Sequence, residues 1–250
     1  MKPITSKVRP WRRLLICALT VAFLSACAGT QSRNTDPIND PWEGYNRKIH
    51  AFNMGVDRYV ARPLAKGYDT VTPAPIKRGI GNFFRNLNYP VTAFNQIMQG
   101  KWQELGESTD RFLANTIFGL LGFFDIASRA DLPYHREDFG QTLAVWGWKD
   151  SNYLVMPFLG PYTTRDLLGR SFYGYLHPIS YAAREGVYWP IPAELIQLRS
   201  ELLPLDAEID AQYDPYVFIR DAWLQRRTNL IYDGSPPELD YEALLEDFEE

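Results

Sequence analysis

Apolar positions recur at helical spacing along most of the chain. Trp42, Tyr45, Ile49, Phe52, Val56 and Tyr59 share one face of a predicted helix. Its start reads Asp40-Pro41-Trp42-Glu43, with Asp40 as N-cap, Pro41 in the first turn and Glu43 closing a capping box. Arg62-Pro63 ends or kinks it. A second helix starts at Thr72-Pro73 and carries Ile76, Ile80, Phe83, Phe84 and Leu87. Tyr89-Pro90 interrupts, and a shorter helix runs to Gln99, with Gly100 as its C′ residue. Further helices are expected over 139–148, over 165–175, after His177-Pro178, from Ile191-Pro192 to Pro204, and over 206–232 with a kink at Asp214-Pro215. Tyr153 to Phe158 is the only passable strand, and Gly160-Pro161 reads as a turn. The fold class is all-α, with no large sheet.

The densest apolar run is Phe112 to Phe124. As one helix it is about 20 Å long at ~1.5 Å per residue, whereas a bilayer crossing takes ~20 apolar residues. The run therefore enters a membrane without crossing it. At ~100° per residue, Ser108, Arg111, Asn115, Gly119, Gly122 and Asp125 form a polar and small stripe. Phe112, Leu113, Ile117, Leu120, Leu121, Phe123 and Phe124 cover the opposite half, and Phe118 is the one large residue on the polar side. With the helix before Gly100 the run makes a hairpin that dips into one leaflet. Phe112, Leu113, Ile117, Leu120, Leu121 and Phe124 are its expected membrane or partner face. An ordinary buried helix is the competing reading.

The N-terminus adds a compartment. Lys2, Lys7, Arg9, Arg12 and Arg13 precede a short apolar segment, Leu14 to Leu24, too short to span. It ends in Leu24-Ser25-Ala26-Cys27, which resembles a bacterial lipobox. The resemblance implies cleavage before Cys27 and a covalent diacylglycerol and acyl anchor on it, and Ala28 after it points to the outer membrane. Two or three acyl chains anchor stably at ~0.8 kcal/mol per buried CH₂. The domain boundaries follow: residues 1–26 signal, 27–39 lipidated tether, 40–232 helical domain, 233–250 acidic tail. Cys17 leaves with the signal and Cys27 goes to the lipid, so neither of the chain's 2 cysteines is left for a disulfide or a metal.

Charge narrows the partners. The whole chain carries −4, and the signal removes five basic and no acidic residues, so the rest is more acidic still. That argues against nucleic acid and against a purely electrostatic grip on anionic headgroups. Frequent Trp and Tyr suit a membrane interface or a large aromatic core.

Little points to an enzyme. His50 sits among aromatics, His135 lies in the charged loop Tyr134-His135-Arg136-Glu137-Asp138, and His177 precedes Pro178. Gly169-Arg170-Ser171-Phe172-Tyr173-Gly174 has the wrong spacing for a nucleophile elbow. Phosphate-loop, dinucleotide, zinc-helix and calcium-loop motifs are missing. No catalytic or metal-ligating residue is assigned. Arg165-Asp166, after the Gly160-Pro161 turn, reads either as a phosphate-holding pair or as a structural ion pair with a helix-start carboxylate.

Several segments together resemble the MlaA/VacJ family of outer-membrane lipoproteins. They are Asp40-Pro41-Trp42-Glu43-Gly44-Tyr45-Asn46-Arg47; Arg111-Phe112-Leu113-Ala114-Asn115-Thr116 with Gly119 and Gly122-Phe123-Phe124-Asp125; Glu137-Asp138-Phe139-Gly140-Gln141-Thr142; Pro157-Phe158-Leu159-Gly160-Pro161 with Arg165-Asp166; and Asp214-Pro215-Tyr216 with Arg220-Asp221 and Arg226-Arg227. The resemblance spans about 36–229. It implies a ring-like, all-helical domain in the inner leaflet of the outer membrane of a Gram-negative bacterium. Its central channel would take phospholipids strayed into the outer leaflet and pass them to a soluble periplasmic carrier of an MCE-type transport system. Trimeric porins would be partners and lipid asymmetry the outcome. On this reading Asn115, Asp125 and Arg165 lie near the channel, and phospholipid is cargo rather than cofactor. A lipid-hydrolysing enzyme and a structural porin-associated lipoprotein without transport are the alternatives.

Overall fold

The computed structural model describes residues 40–237. The signal, Cys27, the tether up to Asn39 and the tail from Glu238 lie outside the described residues. Among the described residues eleven α-helices follow one another: α1 Glu43–Val56, α2 Arg62–Val71, α3 Ala74–Leu87, α4 Tyr89–Gln99, α5 Trp102–Ile117, α6 Phe139–Val145, α7 Thr164–Leu176, α8 Pro178–Arg184, α9 Pro190–Glu201, α10 Asp206–Asp210 and α11 Pro215–Ile231. A two-stranded antiparallel hairpin, β1 Tyr153–Met156 and β2 Gly160–Thr163, precedes α7, with Tyr153 opposite Thr163. No helix among the described residues is long and apolar enough to cross a membrane.

The packing closes into a circuit. α1 continues through a π-helical stretch, Asp57–Ala61, into α2, which packs on α9. From α9 the contacts run to α3, α4, α6 and α11. Tyr216 and Trp223 of α11 meet Tyr153 of β1 edge-on, and β1 packs on α1. This is the expected ring-like helical architecture, and the one sheet among the described residues is two-stranded.

Several local expectations are corrected. Asp40 does not cap α1, which begins at Glu43 without a side-chain cap. Its carboxylate is buried and accepts from Asn46, from the Tyr216 hydroxyl and from Arg220. A long-range partner thus displaces the local one. Arg62-Pro63 does not end the helical run: the chain passes from α1 into α2 through the π-helical stretch Asp57–Ala61, which stands just ahead of the proline that lacks an N–H. The apolar face of α1 is divided: Tyr45 and Phe52 are exposed, while Ile49 packs against the cluster of Tyr153, Val155 and Tyr216. Gly160-Pro161 is strand rather than turn; the chain reverses at 157–159, where Phe158 takes φ 63°. The expected helix over 206–232 is two helices, with Asp214 capping α11 through the Tyr216 and Val217 N–H groups.

Buried polar groups hold the circuit. Asn46 is fully buried: its amide donates to Asp40 and to the Tyr153 carbonyl, and its oxygen accepts the Val155 N–H at 2.8 Å. One side chain thus bolts α1 to β1 and to the start of the domain. Asn46→Ala is expected to cost about 2–4 kcal/mol, because it removes one donor from the buried Asp40 carboxylate and leaves the buried Val155 N–H without its acceptor. Chemical denaturation of the two proteins checks this.

His177 joins α7 to α8. It stacks on Tyr173 at 4.6 Å and accepts the Ile179 N–H through Nδ1. Burial pushes its pKa down to about 4. An unfolded histidine titrates near ~6.5, so between the two values the unfolded chain binds more protons. Stability is then full above about pH 6.5 and is lost as pH falls towards about 4. Melting followed by circular dichroism across that window is expected to drop by several degrees, and His177→Asn, which keeps a capping oxygen and does not titrate, flattens the drop.

Candidate functional site

The organising apolar run does not form one helix. α5 stops at Ile117, and Leu120, Leu121 and Gly122 take φ of 53°, 58° and 93°. The chain folds back as a knuckle, with the Gly122 N–H on the Asn115 carbonyl and the Phe124 N–H on the Gly119 carbonyl, both at 2.8 Å. A Cβ at Gly119 would overlap the Phe124 and Asn115 carbonyls, and one at Gly122 would overlap Asn86. These two glycines let the reversal form. It carries Phe118, Leu120 and Leu121 at 74, 67 and 60% exposure, with Leu113, Ile117 and Phe124 also exposed. Five of the six face residues named from sequence are thus outward. Phe112 instead stacks on Tyr89 at 4.3 Å, and Phe118 joins the apolar side rather than the polar one.

The polar stripe beneath this knuckle is spent on the protein itself. Arg111 donates to Asp125 at 2.7 Å and to the Leu132 carbonyl at 2.7 Å. Asn115, buried, donates to Asp125 and accepts the Ala127 N–H. Ser108 accepts from Gln96 of α4 at 2.9 Å, locking the hairpin about Gly100, whose φ is 74°. Burial opposes ionisation of Asp125, yet Ser128, Arg111 and Asn115 together hold its carboxyl below the usual range. Asn115 and Asp125 border a cleft of about 40 Å³ with Asn82, Arg85 and Tyr89. That is room for water rather than for a headgroup. The two residues brace the knuckle.

A larger cavity, about 320 Å³, opens between α4, the loop before α6, the β-hairpin, α7 and α11. Its frame is Arg227, buried on α11, which donates to both oxygens of Asp138 at 2.6 and 2.7 Å and to Asp166 at 2.7 Å. Burial works against the charge on Arg227, and the two carboxylates more than offset it. Asp138 also caps α6 through the Gln141 N–H. α6 and α7 meet at Gly140 and Gly169: a Cβ on Gly140 would strike Asp166 and Arg227, and one on Gly169 would strike the Gly140 backbone. Glu137, buried, accepts from Lys101 and from Gln99, each at 2.8 Å, tying the Gly100 hairpin to the same loop. Burial raises the Glu137 pKa despite Lys101. Glu104, Glu137 and Asp233 gather their oxygens within 4.8 Å of one another, and the Lys101 ammonium reaches all three.

Arg165 does not reach this cavity. It is 2% exposed and donates to the Trp148 and Lys149 carbonyls and to Asp166. Its place among the channel candidates is corrected: it is the structural ion pair, positioning Asp166 for Arg227. The cavity residues that sequence reasoning passed over are Arg136, Arg170, Tyr162, Tyr173 and Arg226. Arg226-Arg227 stood within a resembling segment, but nothing local separates the buried arginine from the cavity-facing one.

The walls are mixed in character. Val91, Phe139, Leu159, Phe172, Leu176 and Trp223 give apolar surface beside the charged groups. Such a space suits an amphiphile, with a charged head against guanidinium groups and a chain along the aromatic wall.

The family model described as MlaA lipoprotein matches residues 38–230. The Escherichia coli K12 protein named intermembrane phospholipid transport system lipoprotein MlaA is 34% identical over 233 residues, covering 89% of this chain and 90% of that one. A Haemophilus influenzae protein of the same name is 30% identical, covering 89% and 92%. A chain solved in work on the structural basis for maintenance of bacterial outer membrane lipid asymmetry superposes with a TM-score of 0.68 at 32% identity, covering 77% of this chain and 98% of that chain. By motif, by fold and by these likenesses, the chain belongs to the MlaA lipoprotein family.

Proposed function

We propose that this chain is the outer-membrane lipoprotein of an intermembrane phospholipid transport system. It takes phospholipid from the outer membrane into its helical circuit and releases it towards the periplasm, which keeps the outer membrane asymmetric. The observation that carries the reading is the mixed apolar and cationic cavity framed by Arg227 within a domain whose apolar knuckle points outward. The relatives named for phospholipid transport support it.

Cys27 carries the acyl anchor, and the knuckle rests in the periplasmic leaflet of the same membrane. With no helix among the described residues able to cross, entry is limited to one leaflet. A trimeric porin would flank the knuckle, and a soluble carrier of an MCE-type system would receive the lipid. The domain works as a conduit and not as an enzyme: the buried carboxylates are committed to arginine or lysine partners that hold the fold. A porin scaffold without transport would need the knuckle but not the cavity.

A cell test separates these. In a strain lacking its own relative, the full-length chain is expected to lower outer-leaflet phospholipid, read by phospholipase digestion of intact cells. Expression at normal level with no such effect would overturn the transport reading. Leu120 and Leu121 sit in the left-handed region that asparagine tolerates better than leucine. In protein made without the acyl anchor, the pair Leu120→Asn with Leu121→Asn is therefore expected to melt no lower than the unanchored parent while losing most of its binding to phospholipid vesicles. Unchanged vesicle binding would remove the knuckle from the membrane contact.

A further inference from the structure

The cavity contains more positive charge than its ion pairs use. Arg227 is committed to Asp138 and Asp166. Arg136, Arg170 and Arg226 line the same cavity, and among the described residues no carboxylate lies within 4 Å of any of their guanidinium groups. Together, around a single cavity, these three arginines add positive charge that no carboxylate of the described residues pairs with directly.

The surroundings hold that charge in place. The Arg170 guanidinium lies over Tyr162 at 5.7 Å and over Tyr173 at 5.9 Å, so aromatic faces orient it without neutralising it. Burial, and then repulsion from Arg136, lower the pKa of Arg226, so the two cations feel one another. Glu194 of α9 is the carboxylate that senses both Arg136 and Arg170, but it is not in ion-pair contact with either, and burial raises its pKa. The same cavity is also lined by apolar side chains, Phe139, Phe172 and Trp223.

We infer that Arg136, Arg170 and Arg226 form a receiving site for a phosphodiester, with the glycerol end and first methylenes of its acyl chains against Phe139, Phe172 and Trp223. Planar guanidinium groups match phosphate oxygens in pairs. A cavity of about 320 Å³ takes a headgroup and the first part of its tails, not a whole diacyl lipid. The inference rests on the transport reading and adds where and how the headgroup is read. The contact is to the phosphate, which every phospholipid shares, so the site admits different headgroups and excludes neutral diacylglycerol.

The test uses the full-length lipidated chain in a maltoside detergent, titrated with dihexanoylphosphatidylglycerol, dihexanoylglycerol and inorganic phosphate. The parent is expected to bind the phospholipid at least roughly tenfold more tightly than either other probe, and each Arg→Gln change at 136, 170 or 226 to weaken it by roughly tenfold. Dihexanoylglycerol binding should not move. Arg170→Lys and Arg226→Lys keep the charge and stem but lose the fork, and are expected to weaken the phospholipid several-fold if the glutamine variants melt early. Parent-like phospholipid affinity in the triple glutamine variant or in both lysine variants overturns the arginine site while leaving transport intact. Inorganic phosphate binding as tightly as the phospholipid overturns the headgroup reading in favour of a free-anion site. A parent that binds no phospholipid at all overturns the transport reading itself.

Discussion

Arg227 is the tie on which the cavity depends. One guanidinium joins the cap of α6, Asp138, to Asp166 near the start of α7, from a position near the end of α11. Three of the helices that wall the cavity are held by that group, with Gly140 and Gly169 allowing the backbones to come close enough for it to reach. Removing one partner from a buried network of this kind costs ~3–5 kcal/mol, because the remaining charges stay buried. A fully apolar core would hold helices as well but would collapse on itself. Buried ion pairs fix separations and so can frame a space.

The same logic runs around the circuit. Asp40 with Tyr216 and Arg220, Asn46 with β1, Arg199 with Asp57 and Asp206, and Lys101 with Glu137 each join elements distant in sequence. The largest fully buried side chains are mostly polar, and the apolar cluster of Tyr153, Val155 and Tyr216 is small. Apolar surface has instead been left outside, on the knuckle and along α1. In water that distribution is unfavourable. Against lipid or a membrane partner it is the expected one.

This inversion explains what was legible from sequence. Helix limits set by local chemistry were readable: Thr72-Pro73, the Gly100 reversal, the stop at Pro204 and the interruption at Asp214-Pro215, which reads as a kink from sequence and is the cap of a separate helix. Residues whose local role was overridden by a distant partner were not. Asp40 looks like an N-cap and is an anchor for α11. Asn115 and Asp125 fall on one side of a helical wheel, but the helix ends at Ile117 and they fold inward to brace the turn. The wheel failed because Gly119 and Gly122, counted as small members of a stripe, allow the reversal. The ring was legible only through resemblance, and the cavity arginines not at all, since 136, 170 and 226 share no period and meet only when α7 and α11 close on the loop before α6.

The central claim is that phospholipid passes through the cavity inside the circuit. It is tested most directly by placing a photoreactive amino acid at Leu159 or Phe172 on the cavity wall, and separately at Leu120 on the knuckle, then irradiating growing cells. The account predicts phospholipid adducts at all three positions, with those at Leu159 and Phe172 lost when Asp138→Asn loosens the Arg227 tie. Adducts at Leu120 alone would contradict it, leaving a domain that rests on the membrane and carries nothing through.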